Sequence, residues 1–239
     1  MQDLFVVKMG DLTMVNQSDV VKADVVYEDE RFRIERLREI SPFGNNSYII
    51  SNASEVGSVI VVDAPLGSES TVQAIGDRDV QALLFTHHHG DHWQGFDTLR
   101  AMTAAPAYAG ATEINLDPDK QILPIEEGQI FKLGAHEIIA MHTPGHTPGS
   151  TCFLVGGAVL SGDVLFPGGP GLTGSNADLL TSVKSITSRL HPLAPQTVVL
   201  PGHGGTTTIF ESRWEYAIFA AKPWDDSLKG DVLWLPGEV

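Results

Sequence analysis

Residues 79 to 95 read DVQALLFTHHHGDHWQG, and positions 87 to 92 alone hold four of the nine histidines of the chain together with Asp91. The run DVQALLF is short, apolar and followed at once by turn chemistry, which predicts a buried strand that ends at the histidines. At an extended strand end, residues i and i+2 point to the same side. His87 and His89 can therefore bind one ion while His88 points away, and the turn at Gly90 lets Asp91 and His92 reach a second. His88 is read as a structural or supporting residue.

Working outward, three other strand ends carry the same kind of residue. AHEIIAM runs into HTPGHTPGS (142 to 150) with His146, GGAVLSG runs into Asp163, and TVVL runs into PGHG with His203. Loops at strand ends on one edge of an α/β scaffold are where functional side chains converge. The candidates are His87, His89, Asp91, His92, His146, Asp163 and His203. Seven nitrogen and oxygen donors suit two divalent ions with one shared carboxylate, and imidazole suits Zn, Fe, Cu or Ni. Cys152 is the lone cysteine, so an intrachain disulfide and a thiolate zinc cluster are both excluded. Its place in STCFLV predicts a buried, inert thiol.

The rest of the chain alternates short strands with helices. Strands are expected at 24 to 27, 33 to 39, 46 to 51, 58 to 63, 129 to 142, 150 to 155 and 158 to 162. Helices are expected from Ser68 to Ile75, through HWQGFDTLRAM, from Asn176 to Leu190 with Ser175 or Asn176 as N-cap, and from Ile209 to Ala221. The tail PWDDSLKGDVLWLPGEV shows no strong period. At 239 residues and 42% hydrophobic content the chain suits one α/β domain, 1–239, with residues 1–22 as an added strand, a dimer arm or a lid. A homodimer is compatible with that.

Fifteen basic against 30 acidic residues give a formal charge of −15, and no stretch gathers Lys or Arg into a face for a phosphate backbone. Nucleic acid is disfavoured as a partner, and a small-molecule substrate is expected. The N-terminal MQDLFVVKMGDL is acidic where a signal peptide is basic, and no apolar run approaches about 18 residues. A cytoplasmic protein without a membrane partner is expected.

HHHGDH, HTPGHTPGS, SGDVLF and LPGHG, in that order, resemble the metallo-β-lactamase superfamily, and within it the hydrolases similar to glyoxalase II. The resemblance covers roughly residues 30 to 220. It implies an α/β fold, the αβ/βα four-layer sandwich of two mixed β-sheets with outer helices and a metal groove along one edge. Carried over residue by residue, it implies that His87, His89 and His146 hold a first metal, Asp91, His92 and His203 a second, and that Asp163 bridges them. Asp63, at the end of SVIVVD, matches a position behind the ligands that hydrogen-bonds a ligand histidine. His136, His142 and His191 are read as structural.

The function implied is a dinuclear metal-dependent hydrolase, with two divalent ions, Zn2+ first and Fe or Mn as alternatives. It would activate a water to cleave a small ester, thioester or lactone, with Asp91 as ligand or proton acceptor. The alternatives from the same family are a mononuclear iron persulfide dioxygenase and a phosphodiesterase, the latter weakened by the negative charge. The chain departs from glyoxalase II in its C-terminal region, where 36 residues follow His203 and the basic ones are Arg213, Lys222 and Lys229, without a cluster for glutathione. A bridging Asp163 belongs to the thioesterase, lactonase and phosphodiesterase branches rather than to β-lactamases. The Gly-rich loop FPGGPGLTGSN (166 to 176) departs from the arginine-containing pattern of some branches. Trp93, Phe166 and Trp214 are the first candidates for the substrate wall, with Gln94, Pro167, Phe219 and Trp224 behind them, and each of the seven has core packing as its competing role.

Overall fold

The computed structural model describes residues 23–38, 40–113 and 118–235. The stretch 1–22, with its expected arm or lid, lies outside the described residues. A first sheet holds seven strands in chain order, β1 (Asp24–Glu28), β2 (Phe32–Leu37), β3 (Ser47–Asn52), β4 (Ser58–Val62), β5 (Asp79–Leu84), β6 (Ala107–Gly110) and β7 (Ile122–Ile125). Helices α1 (Glu69–Ile75) and α2 (Phe96–Met102) link its parallel strands. The second sheet has the order β15-β14-β11-β10-β9-β8, with β8 (Ile130–Leu133), β9 (His136–His142), β10 (Thr151–Val155), β11 (Ala158–Gly162), β14 (Val198–Pro201) and β15 (Thr207–Thr208). A two-stranded ribbon, β12 (Leu165–Phe166) and β13 (Gly169–Pro170), and helices α3 (Asn176–Ser185) and α4 (Ile209–Ala220) complete it.

Alternation along the strands sorts side chains into layers. Ile34, Ile50, Val62 and Leu84 of the first sheet meet Leu133, Ala140, Phe153 and Leu160 of the second in one core between the sheets. Their neighbours Ile49, Val61 and Leu83 face the other way, onto Ile75, Phe96 and Leu99 of the outer helices. On the far side, Cys152, Val159 and Val199 pack on Ile186, Leu190 and Ile209. Helix, sheet, sheet, helix is the four-layer αβ/βα sandwich expected from the sequence. Cys152 is fully buried, and that burial pushes its thiol up to about 12.

Several boundaries differ from the sequence reading for local reasons. The helix expected through HWQGFDTLRAM begins only at Phe96, after a 3-10 turn at Gly90–His92. The Gly95 N–H is taken by the Ala64 carbonyl at 2.7 Å rather than by the preceding turn, and a Cβ at this glycine would lie 2.3 Å from the Pro65 carbonyl and from Ser68. The expected strand 129 to 142 is a hairpin folded at Gly134, whose φ is +63°. Strands β6 and β7 are four residues each, and Pro124 hides the second; it is tolerated because β7 is the sheet edge. Helix α3 is capped by Ser175, whose Oγ accepts from the Asp178 N–H at 3.2 Å.

Strand directions decide where the motifs meet. Strands β4 and β5 are parallel, so Asp63 and His87 leave the first sheet on the same edge, and antiparallel β3 enters there, just after Asn45. Strands β9 and β11 both run antiparallel to β10, and β14 runs parallel to β11. The loops with His146, Asp163 and His203 therefore leave the second sheet together. The two sheet edges are tied to each other by the bonds Thr151 N–H to Thr86 O, 2.8 Å, and Asn46 N–H to Gly202 O, 2.7 Å.

Candidate metal centre

All seven sequence-selected residues converge on this edge. Donor atoms of His87, His89 and His146 lie within 4.8 Å of one another, as do those of Asp91, His92 and His203, and as do those of His87, His92 and Asp163. The first two groups are the same triples the family resemblance implies. Asp163 stands between them, with Oδ2 3.7 Å from His146 Nε2 and 3.4 Å from His203 Nε2, and Oδ1 3.4 Å from His92 Nε2.

Four of the five histidines are oriented by the bond that Nδ1 makes to a protein oxygen. His92 Nδ1 donates to Asp63 Oδ2 at 2.9 Å, His146 Nδ1 to the Leu172 carbonyl at 2.8 Å, and His203 Nδ1 to the Phe43 carbonyl at 3.0 Å. These partners accept only, so the proton sits on Nδ1 and the Nε2 lone pair faces the cluster. His87 Nδ1 meets the Thr86 hydroxyl at 3.1 Å, and that hydroxyl donates to Asp63 Oδ2 at 2.9 Å. The result is a set of aimed but unused donors. His87 Nε2, His92 Nε2 and Asp163 Oδ1 are buried without a hydrogen-bond partner, and His146 Nε2 faces His89 Nδ1 at 2.8 Å. Buried polar atoms left unsatisfied are costly, and a divalent cation is the species that satisfies imidazole and carboxylate lone pairs at once. The residues fit the metal that the donor chemistry suggests.

Protonation follows the same logic. Burial, reinforced by neighbouring imidazoles, pushes His87 well below the usual histidine range and His89 down to about 4. The hydrogen bond from His203 holds Asp91 below the carboxylate range. Burial works against charge on Asp163, His92 and His203, but the attraction between the carboxylates and the imidazoles wins. Asp163 stays well below its usual range, while Asp63 and Asp163 lift His92, and Asp163 and Asp91 lift His203 to about 9. Three carboxylates thus draw protons onto two histidines, which a bound cation would displace.

From its place at the end of β4, Asp63 hydrogen-bonds His92 at 2.9 Å. Beyond His92, its Oδ1 accepts from the Thr86 N–H at 2.9 Å. It holds φ at +60°, a left-handed conformation rare outside glycine. Gly202 is required beside it: a Cβ there would lie 2.4 Å from Asp163 Oδ1 and 2.6 Å from His92 Cε1. His88 points away from the cluster to Glu113 Oε2, and Thr147 Oγ1 donates to Glu113 Oε1 at 2.7 Å, so His88 fastens the two histidine loops together. His136 packs by Phe32, His142 reaches the Pro148 carbonyl, and His191 is buried beside Ser212.

Two of the three wall candidates lie elsewhere. Trp93 stacks on Phe85 at 3.9 Å and donates Nε1–H to the His87 carbonyl, so it supports the histidine loop from the core side. Trp214 lies on α4, 56% exposed and away from the groove. Phe219 and Trp224 pack on each other at 4.5 Å. Phe166 and Pro167 do line a groove of about 300 Å³ that opens beside His146, Asp163 and His203.

Residues the sequence did not single out complete the site. Fully buried Asn45 donates Nδ2–H to Asp91 Oδ2 at 3.0 Å and sits 3.3 Å from His203 Nε2. Its signal, an Asn at a strand entry, is faint. Asp231 and Leu233 also line the groove, placed there by an extended tail. Gly230 and Thr173 exchange backbone bonds at 2.9 and 3.0 Å, and the Trp234 N–H bonds to the Gly168 carbonyl at 2.7 Å. Asp231 and Leu233 then face out, while Val232 and Trp234 are buried.

Comparison with known proteins agrees with this geometry. The model of the metallo-beta-lactamase superfamily matches residues 40–217. A probable polyketide biosynthesis zinc-dependent hydrolase of Bacillus velezensis is 28% identical over 184 residues, 73% of this chain and 80% of that one. A hydroxyacylglutathione hydrolase of Fuscovulum blasticum is 31% identical over 165 residues, 66% of this chain but 62% of its own length. A crystal structure of a protein in a di-iron-bound form superposes with a TM-score of 0.59 at 27% identity, covering 71% of this chain and 92% of that one. No helix among the described residues is long and apolar enough to cross a membrane.

Proposed function

This chain belongs to the metallo-β-lactamase superfamily, and we propose that within it the protein is a dinuclear metal-dependent hydrolase that cleaves a small ester, thioester or lactone. The observation that carries the reading is the pair of donor triples joined at Asp163, with buried His87 Nε2, His92 Nε2 and Asp163 Oδ1 left unpartnered. His87, His89 and His146 would hold one divalent ion, Asp91, His92 and His203 the other, with Asp163 shared between them. When bound, such ions lower the pKa of a water and polarise a carbonyl oxygen. Zinc is proposed first, since imidazole and carboxylate donors suit it and the Bacillus velezensis relative is named zinc-dependent. Iron is the second reading, supported by the likeness to a di-iron-bound structure.

The chain's own residues do the rest. Asp91, gripped by the Asn45 amide at Oδ2, is placed as a ligand of the second ion or, where that ion is absent, to take up the proton of the attacking water at its carboxylate. Asp63 and Thr86 hold His92 and His87 in the tautomer that leaves Nε2 free. The groove beside the cluster suits a small-molecule substrate, and a cytoplasmic location fits its one buried thiol. Its described lining includes no Lys or Arg, which sets a glutathione conjugate or a phosphodiester behind a neutral carbonyl substrate. The test is turnover of matched thioester, lactone and phosphodiester substrates by the purified protein, before and after dialysis against a chelator. Chelator-sensitive cleavage of a carbonyl substrate is the expected result. Chelator-resistant cleavage, or cleavage of the phosphodiester alone, would overturn the proposal.

A further inference from the structure

Resting on that hydrolase reading, we infer that the groove takes an uncharged, apolar acyl group, received by Phe166, Leu172 and Leu233 and screened against anionic tails by Asp231. The groove runs directly from His146, Asp163 and His203, so whatever fills it is joined to the group that reacts. Away from those three residues, its lining is Phe, Pro, Gly and Leu, with Asp231 as the charged exception.

This wall is built rather than incidental. Leu172 and Leu233 are 59% and 52% exposed, although each sits on backbone that is fixed in place. The Leu172 carbonyl is tied to His146 Nδ1, and the next residue, Thr173, exchanges two backbone bonds with Gly230. Period-two alternation then turns Asp231 and Leu233 to the groove because Val232 and Trp234 are drawn into the core. Gly171 passes so close to the Asp163 carbonyl that a Cβ would lie 2.0 Å from it, which leaves the loop little freedom to fold its leucine inward. Large apolar side chains held out on a fixed backbone at the mouth of a reactive site await an apolar ligand. The opposite sign of selectivity follows from Asp231 and the chain's formal charge of −15: a carboxylate at the end of an acyl chain would meet like charge on the wall.

The experiment uses the metal-loaded enzyme and thioesters of one small neutral thiol, with butanoyl, hexanoyl and octanoyl chains and the octanedioyl half-acid. Full burial of a methylene is worth about fourfold in binding, and a half-open groove about half of that energy, roughly twofold. From butanoyl to octanoyl, kcat/KM should therefore rise about tenfold or more, and the half-acid should fall at least about tenfold below octanoyl. Leu233→Ala should flatten the chain-length dependence, and Asp231→Asn should narrow the gap to the half-acid. Binding of octanamide against butanamide, followed by ligand-observed NMR on wild type and Leu233→Ala, supplies a readout that needs no turnover. No hydrolysis of these thioesters or of the matched ester and lactone, with octanamide still preferred and that preference lost in Leu233→Ala, removes the hydrolase reading and leaves the groove inference standing. Rates and binding indifferent to chain length, or a preference for the half-acid, overturn the groove inference while the hydrolase reading stands.

Discussion

His87 and His92 are at most 1% exposed, at the end of β5, and are tied through Thr86 and Asp63 into one hydrogen-bonded block, whereas Leu172 and Leu233, on the same groove, stand more than half exposed on a loop and a tail. Strand ends bring the donor atoms together, and four of the five ligand imidazoles are held at Nδ1 by a protein oxygen, His89 being the exception, whose Nδ1 faces His146 Nε2. The apolar wall is positioned by backbone pairing alone and so leaves its side chains free to vary. The lesson is a division of labour: changes at the strand ends should alter whether the site works, and changes on the wall should alter what it works on.

The strongest way to break that division is at Asp163 or His146. Asp163→Ala or His146→Ala should remove metal and activity together, by about a thousandfold or more, because Lewis acidity worth several kcal/mol is lost. A metal-free variant with full activity would contradict the assignment. Next in size is Asp63→Asn, which keeps the shape but cannot accept from Thr86 N–H, Thr86 Oγ1 and His92 Nδ1 in the same way. It should weaken metal affinity by about 10- to 100-fold, measured by competition with a chromophoric chelator. Asn45→Ala, which removes the amide that grips Asp91, should weaken the hold on the second ion and lower kcat, each by about tenfold, read by the same chelator competition and by turnover.

The smallest effect lies outside the groove and calibrates the others. Burial, helped by the positive charge of Arg213, pushes His191 down to about 4. Its folded value is below the unfolded one of about 6.5, so the unfolded chain takes the proton first. The stability contributed by neutral His191 is therefore complete above about pH 6.5 and is lost as pH falls toward 4. Urea midpoints between those limits should slope less in His191→Gln than in wild type, and equal slopes would count against this account.

The metal end was legible because its chemistry is compressed in sequence. Four strand ends each announce themselves by an apolar run that stops at His or Asp, and the short β-branched and aromatic runs that build the first sheet are visible in NSYIIS and SVIVVD. Asn45 was not legible because its partners Asp91 and His203 lie 46 and 158 positions away, and nothing local marks an asparagine that will bridge two sheets. The helix expected over HWQGFDTLRAM starts only after Gly95, whose N–H bonds to the Ala64 carbonyl, a partner 31 positions away that helical spacing does not reveal. Trp93 and Trp214 were misplaced for a related reason: an aromatic ring beside a motif can face the core or the surface, and only Phe85 behind Trp93 decides the first case. In the tail, DVLWL is one aspartate followed by four apolar residues between Gly230 and Pro236, with no period-two pattern in the sequence, so Asp231 and Leu233 emerged only in three dimensions.

The central claim, that two sets of donors meet at Asp163 to hold two divalent ions, is tested most directly by elemental analysis of the purified protein beside its His203→Ala variant. About two zinc or iron ions per wild-type chain, falling to about one in the variant, is the predicted result. A wild-type chain that hydrolyses its substrate at full rate with less than about a tenth of an ion bound would contradict the claim.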